Sequence, residues 1–402
     1  MLMLLHRVVT IALAFQSAPV AAPPVATPKP AELVRVGVER IEAMQSKGPG
    51  GDVAAEWPYE GVYRVANDIP YGYRVGGTSI AGLALLCAPG LAEDAERRVA
   101  LERAVDFVVQ SPKEPLLSYD PSVYRGGYDV RNWGHCYGLR FLLRAKSSLK
   151  LSPEVVSKVD AGIAFFLEAL KKTEIPTVGG WQYARNPGIE NPCNMSPFVT
   201  APCLEALIEA KAAGLEVSPE LIARTVHALE LCRGASGFVA YGTAKEIRDQ
   251  PQQIPGAMGR MCATEVALAK AGKQDNARLR FAIESFFQHW DELEKRRKKQ
   301  GTHLPPYGVA PYYFFYAHLY AATAIALLPA EEQPALAARF VAVLLKSRES
   351  DGSWNDRVFA RSAAYSTAMS VLALIELKPA LAVNAALPSA GGVTSTTAAA
   401  KE

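Results

Sequence analysis

The sequence lacks the features that mark several common classes of protein. No two of its six cysteines are separated by two residues, so neither a structural zinc cluster nor a thioredoxin-like redox site is expected. The net charge is only +3, from 43 Lys and Arg against 40 Asp and Glu, and no basic footprint for nucleic acid is visible. The only basic run, at 295–299, is typical of a solvated helix end.

The cysteines also argue against a dense disulfide framework. Five of them lie in apolar runs, where a buried thiol behaves as a small hydrophobic side chain; these are Cys87, Cys136, Cys203, Cys232 and Cys262. Cys193 differs because it lies in the polar stretch ENPCNMSP. A bridge from Cys193 to Cys203 is therefore the one pairing considered, although spacing alone does not determine connectivity.

The start of the chain has the pattern of an export signal. Arg7 supplies a positive charge, 8–15 is apolar, and 17–22 is rich in small residues. The apolar stretch is too short to span a bilayer, so no transmembrane anchor is expected. We predict a signal peptide over 1–22, a Pro/Ala-rich linker over 23–31 and a disordered tail over 383–402. The protein would then be exported, to a periplasmic or extracellular location.

What the sequence does contain is a pattern that recurs six times. A loop with glycine and aromatic residues precedes a helix that begins with one polar residue and continues in small and aliphatic ones. In the last copy, 351–354 reads DGSW and is followed by YSTAMSVLALIEL from Tyr365. Aligning the copies places one polar residue from each at an equivalent position, namely Ser79, His135, Thr200, Arg260, His318 and Ser366.

Amphipathic segments alternate with these small-residue helices. Ser152 with Pro153, and Ser218 with Pro219, place a capping hydroxyl before a proline and so predict the starts of two such helices. The repeat, near fifty residues, is longer than the roughly 34 to 47 of helix-pair solenoids. The first and last segments are as apolar as the middle ones, whereas an open solenoid needs polar capping ends. We therefore predict an all-α fold, an α6/α6 toroid of six helical hairpins over 32–382.

The glycine, tryptophan and inner helix of the form YSTAMSVLAL resemble the repeat of squalene and other terpenoid cyclases and of protein prenyltransferase β-subunits. This prenyltransferase and squalene oxidase repeat implies the same toroid. The catalytic motifs of those enzymes are absent, because the chain has no adjacent aspartates for DxDD or DDxxD and no DxC zinc motif. The GCGEQ thioester of the complement toroids is missing too. The segment at His135 and Cys136 resembles a prenyltransferase inner helix without the other zinc ligands.

The candidate site lies where the inner helices begin, at one mouth of the ring. Unpaired amides and the positive helix ends there favour an anionic or strongly hydrogen-bonding ligand. Arg260 is predicted to hold a carboxylate or phosphate in bidentate fashion, with His318 as general acid or base. His135 is the other catalytic candidate, but it lies across the ring from His318, so no shared metal is expected. The alternative is that each polar side chain only satisfies a neighbouring loop carbonyl.

Further candidates flank the same mouth. The aromatic residues there are suited to stacking on a sugar or stabilising a cation; they are Trp133, Trp181, Tyr183, Tyr312, Tyr313 and Tyr316. Three loop carboxylates are candidates for a glycosidase pair, although their spacing selects no two of them; they are Asp129, Glu190 and Asp356. Asn194 is a possible hydrogen-bonding partner for a ligand or a turn residue.

Three hypotheses of function remain. The first is an exported toroid without catalysis that binds a small molecule, a glycan or a protein at the mouth of the ring. The second is a carbohydrate-active hydrolase or lyase on the same fold. The third is a divergent isoprenoid-handling enzyme. No metal, other cofactor or nucleic-acid partner is expected in any of them.

Overall fold

The computed structural model describes residues 28–47, 53–120, 130–176, 178–183, 194–242 and 249–386. In this part of the chain the helices are α1 (Pro30–Ala43), α2 (Tyr71–Cys87), α3 (Ala95–Gln110), α4 (Arg131–Ser148), α5 (Pro153–Thr173), α6 (Pro197–Ala212), α7 (Pro219–Leu231), α8 (Met258–Lys270), α9 (Asn276–Glu294), α10 (Phe314–Leu327), α11 (Gln333–Lys346), α12 (Ser362–Glu376) and α13 (Lys378–Ala386). Two short antiparallel strands, β1 (Ser46–Lys47) and β2 (Ala54–Glu56), follow α1. Short 3-10 helices occupy Ser111–Lys113, Pro115–Leu117, Pro251–Gly256 and Pro311–Tyr313.

The even-numbered helices from α2 to α12 form a closed ring. Each contacts the next, and α12 returns to contact α2. The odd-numbered helices lie outside this ring, with α1 on α12, α3 on α2, α5 on α4 and α9 on both α8 and α10. The predicted all-α toroid is therefore the observed fold class.

The inner and outer helices differ in composition because they differ in surroundings. In α10 nearly every side chain is buried, whereas α5 buries one face that includes Ile163 and Phe166 and exposes its charged residues. Glycine permits the closest approaches within the ring. A Cβ on Gly77 of α2 would lie 2.5 Å from the carbonyl oxygen of Trp57, closer than real Cβ contacts come.

Helix starts agree with the predicted capping signals. The Ser152 hydroxyl accepts a hydrogen bond from the Val155 amide at 3.4 Å, and the Ser218 hydroxyl accepts one from the Leu221 amide at 3.3 Å. Each serine satisfies an amide that the first turn of a helix leaves unpaired. Both predicted starts are confirmed, at α5 and α7.

Three tryptophans join the parts of their hairpins in the same way. The indole N–H groups of Trp57, Trp181 and Trp354 donate to the outer-helix carbonyls of Ile41, Leu170 and Leu344, respectively. Their backbone amides donate to inner-helix threonine hydroxyls, those of Thr78, Thr200 and Thr367. Thr78 and Thr367 are therefore the structural equivalents of Thr200. The sequence alignment, which chose Ser79 and Ser366, was wrong by one residue in these two copies.

The ends of the fold differ slightly from the predicted boundaries. Helix α1 begins at Pro30, inside the predicted linker, and α13 continues to Ala386, inside the predicted tail. Cys203 is a buried free thiol, so it forms no bridge to Cys193, which itself lies outside the described residues. The predicted signal peptide lies outside them too.

None of the helices in the described ranges combines the length and the apolar character needed to cross a membrane.

Candidate functional site

A cleft lined by aromatic side chains occupies the predicted mouth of the ring. Its lining, here called the aromatic cleft, consists of Tyr59, Tyr73, Trp133, Tyr183, Phe198, Tyr312, Tyr316 and Tyr365. Five of these residues belong to the first turns of inner helices, and the other three precede such helices, Tyr59 and Tyr183 in loops and Tyr312 in a short 3-10 helix. The cleft therefore lies at the amino-terminal mouth.

The aromatic rings of the cleft support one another. Tyr59 lies 4.4 Å from Tyr365 between ring centroids, and Phe198 lies 5.2 Å from Tyr316. The Tyr316 hydroxyl donates to the Phe198 carbonyl at 3.1 Å, which joins α10 to α6 across the ring. The indole Nε1 of Trp133 is buried and has no hydrogen-bond partner. This nitrogen faces α2, since a Cβ on Gly76 would lie 3.2 Å from it.

Asp356 lies next to this cleft. Its Oδ2 accepts from the Tyr59 hydroxyl at 3.2 Å, and its Oδ1 accepts from the Ser366 hydroxyl at 3.1 Å. Burial raises the pKa of Asp356 to about 7, despite the opposing effects of Arg357 and of these hydrogen bonds. The carboxyl group is thus poised between its charged and neutral forms near neutral pH, as a general acid requires.

Arg260 is buried beside the cleft without a carboxylate. Its side chain is 6% exposed, and it forms no ion pair with the described residues. Nε donates to the Val239 carbonyl and Nη1 to the Gly256 carbonyl, each at 2.7 Å. These two bonds use the N–H of Nε and one N–H of Nη1, so the remaining N–H of Nη1 and both of Nη2 are the donors left for the predicted bidentate grip.

A histidine and three tyrosines lie near Arg260. His303 Nε2 is 2.6 Å from the Tyr313 hydroxyl and 3.1 Å from the Tyr312 hydroxyl. The Tyr241 ring meets His303 edge-on at 5.9 Å and lies 5.8 Å from the guanidinium carbon of Arg260. Burial and the charge of Arg260 both lower the pKa of His303. The Tyr313 ring stacks on Phe198 at 4.3 Å, which connects this group to the aromatic cleft.

The two histidines predicted as catalytic are fully buried. His318 Nδ1 lies 2.7 Å from the Phe314 carbonyl, and its Nε2 accepts from the Trp290 indole at 2.9 Å. His135 Nε2 lies 2.9 Å from the Leu117 carbonyl. Burial lowers the pKa of His318 to about 4 and that of His135 to about 3. Both rings are neutral at physiological pH, and their nitrogens bond within the fold.

The remaining predicted ligand-binding residues occupy several environments. Thr200 is buried and donates to the Trp181 carbonyl at 3.0 Å, and Trp181 itself is fully buried in its hairpin. Ser366 bonds to Asp356, while the buried Ser79 hydroxyl has no partner. Asn194 and Tyr316 lie at the mouth: Asn194 is exposed and accepts through its carbonyl from Gln182, and Tyr316 lines the cleft.

A charged cluster lies farther along the inner helices, away from their amino-terminal ends. Glu205 of α6 bonds to Lys270 at 2.5 Å, to the Tyr320 hydroxyl at 2.7 Å and to Arg140 at 3.4 Å. Although burial acts to raise it, the neighbouring Lys270 and Arg140 lower the pKa of Glu205 to about 2. These groups satisfy one another within the ring.

Comparison with known proteins identifies the architecture. No family model matches the chain, and no curated protein is significantly similar in sequence. Solved structures do match. The α-1,6-mannanase GH76A of Salegentibacter sp. HEL1_6, solved with α-1,6-mannotriose, superposes with a TM-score of 0.52 at 13% identity over 88% of this chain and 100% of that one.

Two further solved structures match over similar lengths. A D-mannose isomerase has a TM-score of 0.51 at 15% identity over 85% of this chain and 96% of that one. The glucoamylase of Hormoconis resinae has a TM-score of 0.52 at 11% identity over 87% and 73%. The chain is an α/α toroid. Identities this low show the fold of the toroid and do not transfer an activity.

Several residues of the toroid's mouth were not found from the sequence. Tyr59, Tyr73, Phe198 and Tyr365 line the cleft, yet only Tyr183, Tyr312, Tyr316 and Trp133 among the lining residues were predicted. His303 was missed because it lies in a loop between repeats. The sequence offers one signal for a contact between His303 and the two tyrosines. Tyr312 and Tyr313 follow it by nine and ten residues, and residues at this separation meet when a loop folds back.

The described part of the toroid contains no group of three or more His, Cys, Asp or Glu side chains arranged to hold a metal. Asp129 and Glu190, two of the three predicted loop carboxylates, lie outside that part. Asp356 is therefore the one member of the predicted glycosidase set whose surroundings are known.

Proposed function

We propose that this toroid binds a carbohydrate in the aromatic cleft. The observation that carries the proposal is a cleft at the mouth of the ring lined by eight aromatic side chains. Ligand sites are typically concave and apolar with a few polar groups that fix orientation. The apolar faces of sugar rings stack on aromatic side chains, and their hydroxyls form hydrogen bonds with groups such as tyrosine hydroxyls.

The comparisons support a sugar as the ligand. The matched mannanase was solved with a mannotriose, and the matched isomerase is named for D-mannose. The export signal proposed for 1–22 agrees with this reading, because a periplasmic or extracellular protein meets polysaccharides. The fold match supports the class of ligand only by analogy, so the argument depends on the cleft.

Hydrolysis of that carbohydrate is the second candidate function, and Asp356 favours it. Burial raises the pKa of Asp356 to about 7, so the group holds a proton at neutral pH as a glycosidase acid does. Asp356 bonds at 3.2 Å to the hydroxyl of Tyr59, which lines the cleft. This hydroxyl would relay the proton from Asp356 to the bound sugar. A hydrolase also needs a second carboxylate, for which Asp129 and Glu190 are the candidates.

A divergent isoprenoid-handling enzyme is the third reading, as the terpenoid cyclase and prenyltransferase repeat implied. The aromatic faces of the cleft support it, because they stabilise cations. The same binding measurement separates these readings.

The test is titration calorimetry of the full chain with neutral and acidic oligosaccharides and with isoprenoid diphosphates. Trp133→Phe replaces the indole in the cleft lining by a smaller ring, so the stacking area shrinks and we expect sugar affinity to fall about two- to tenfold. Phe281→Leu is the matched control, since Phe281 is an exposed aromatic on outer helix α9. Binding of a diphosphate without any sugar, or equal affinity of native and Trp133→Phe protein, would reject the proposal.

Hydrolysis has its own test. Release of reducing ends from a bound oligosaccharide should be abolished by Asp356→Asn, while the affinity for that oligosaccharide stays within about twofold. Unchanged release by this variant would exclude Asp356 as the acid. Binding without release by the native protein would leave the non-catalytic toroid as the function.

A further inference from the structure

We propose that the sugar bound by this toroid is acidic and that its carboxylate is held by Arg260 and His303, which Tyr241 and Tyr313 border and position; these four residues are here called the arginine pocket. The inference depends on the proposed function, and it names the class of ligand that the cleft receives. The reasons are the lack of a counter-charge for Arg260 among the described residues, the donors near it, the balance of charge, and the position of these groups beside the aromatic cleft.

The first reason is an uncompensated buried cation. Arg260 is 6% exposed, and the described residues offer it no carboxylate. Two less buried arginines are paired with carboxylates, Arg74 with Glu56 at 2.8 Å and Arg140 with Glu209 at 2.7 Å. Arg97, which is 2% exposed, lies 3.4 Å from Asp94. Burying an unpaired charge costs free energy, so such a group is typically paired within the protein or binds a ligand of opposite charge. An anion is the ligand that removes this cost.

The second reason is the arrangement of donors. Nε and Nη1 of Arg260 are occupied by main-chain carbonyls, which fix the guanidinium and leave Nη2 without a partner among the described residues. The ring of Tyr241 borders the guanidinium, and the hydroxyl of Tyr313 bonds to His303. In the tautomer of His303 that carries its proton on Nδ1, Nε2 accepts from a tyrosine hydroxyl and Nδ1 is a further donor.

The third reason is the balance of charge. The four residues of the pocket carry one fixed positive charge, that of Arg260, together with neutral donors. Arg357, whose guanidinium carbon lies 5.7 Å from the Tyr312 ring, interacts with Asp356 instead. A sugar carboxylate carries one negative charge and matches it, whereas a phosphate monoester carries about −1.5 to −2 near neutral pH and would remain partly uncompensated. A sulfate ester is also a monoanion, and the experiment must distinguish it.

The fourth reason is continuity with the cleft. Tyr312 lines the cleft and bonds to His303 at 3.1 Å. Tyr313 stacks on the cleft residue Phe198 with an interplanar angle of 16°. A sugar ring seated on the cleft aromatics therefore places a substituent beside the arginine pocket. A uronic acid carries its carboxylate as such a substituent.

The experiment compares matched ligands. Binding of the full chain is measured by calorimetry with uronate tetrasaccharides, with the same tetrasaccharides after carboxyl reduction, and with sulfated tetrasaccharides that lack uronate. We expect the uronates to bind about ten- to hundredfold more tightly than their reduced forms, as loss of a charge-assisted hydrogen bond implies. Arg260→Gln should remove this preference and keep the affinity for the reduced sugars.

Two milder variants keep the test independent of folding defects in Arg260→Gln. Tyr313→Phe retains the ring that stacks on Phe198, and His303→Gln alters an exposed side chain, so both proteins should fold. Each should reduce the preference for uronate by about two- to tenfold. Arg339→Gln is the charge-matched control, because Arg339 lies over the Phe287 ring on the outer surface.

The outcomes separate this inference from the proposed function. Equal affinity for uronate and reduced sugars would overturn the inference and leave sugar binding in the cleft intact. A preference for sulfated over carboxylated sugars would overturn the assignment of a carboxylate. Absence of binding by every sugar would reject both proposals. A uronate preference that survives both Tyr313→Phe and His303→Gln would show that the anion is held elsewhere.

Discussion

Single residues determine how each hairpin of the ring is held together. The repeat tryptophans bond to an outer helix through the indole and to an inner helix through the amide, as Trp354 does with Leu344 and Thr367. This residue also packs against Gly37 of α1. The tryptophan of the repeat is therefore structural, and the residues proposed to act on a ligand, Arg260 and Asp356, are ones that differ between copies.

Loss of the last repeat tryptophan should destabilise the protein strongly. Trp354→Ala removes the fully buried side chain of a residue that bonds to both α11 and α12, so the free energy of unfolding should fall by about 3 to 5 kcal/mol. Urea denaturation measures this change in the free energy of unfolding. Val358→Ala, at a 46% exposed site a few residues on, is the control and should change little. An unchanged unfolding midpoint for Trp354→Ala would contradict the structural role of the repeat.

Asp356 should lower the stability of the protein when its buried carboxyl is ionised. Its folded pKa of about 7 lies above its ordinary value of 3.8, so its contribution to stability is complete below that value and is lost as pH rises through 7. Asp356→Asn should therefore stabilise the protein above pH 7 and not below pH 4. The gain should grow on the order of 1 kcal/mol per pH unit between these limits. If the difference in unfolding free energy between Asp356→Asn and the native protein is the same at every pH, burial does not raise the pKa of this carboxyl.

At the level of helices, the helix starts are predicted most directly from the sequence, because capping residues mark them. Ser218→Ala should lower the free energy of unfolding by about 1 kcal/mol, because the Leu221 amide at the start of α7 loses its acceptor. Ser218→Gly is the internal control and should cost only a few tenths, since water reaches the amide more readily. Urea denaturation of both variants gives the difference. Equal effects would mean that the hydroxyl bond contributes nothing.

The limits of sequence reasoning also appear at this level. Ser152, Ser218 and Trp354 were predicted because capping and the repeat motif are local patterns. The alignment failed at Ser79 and Ser366 because adjacent hydroxyl residues begin both helices, and only the bond to a tryptophan amide selects Thr78 and Thr367.

The partners of the buried histidines and of Arg260 were not predictable for a related reason. His318 meets Trp290 because α9 packs against α10, and no spacing in the sequence reports that contact. The fold class was available from periodicity alone. The cleft was available only in part, because its lining joins residues from loops and helices that are far apart in the chain.

At the scale of the whole molecule, closure is what distinguishes this toroid from a solenoid. Helix α12 contacts both α10 and α2, and α1 packs on α12. The bond between Tyr59 and Asp356 joins residues 297 positions apart, and Tyr59 also contacts Tyr365. The mouth of the ring is thus assembled from both ends of the chain. Neither end forms the cleft without the other.

A chain that ends at residue 329 should therefore fail to fold cooperatively. It lacks α11 to α13, which leaves the apolar faces of α1, α2 and α10 without the helix that joins them. An open solenoid that loses a terminal repeat keeps the others folded, since each repeat contacts only its neighbours. A chain ending at Ala386 keeps every described helix and is the control. Thermal unfolding followed by circular dichroism should show a single transition for the control and none for the truncated chain; a sharp transition in the truncated chain would mean that the hairpins stack as an open array.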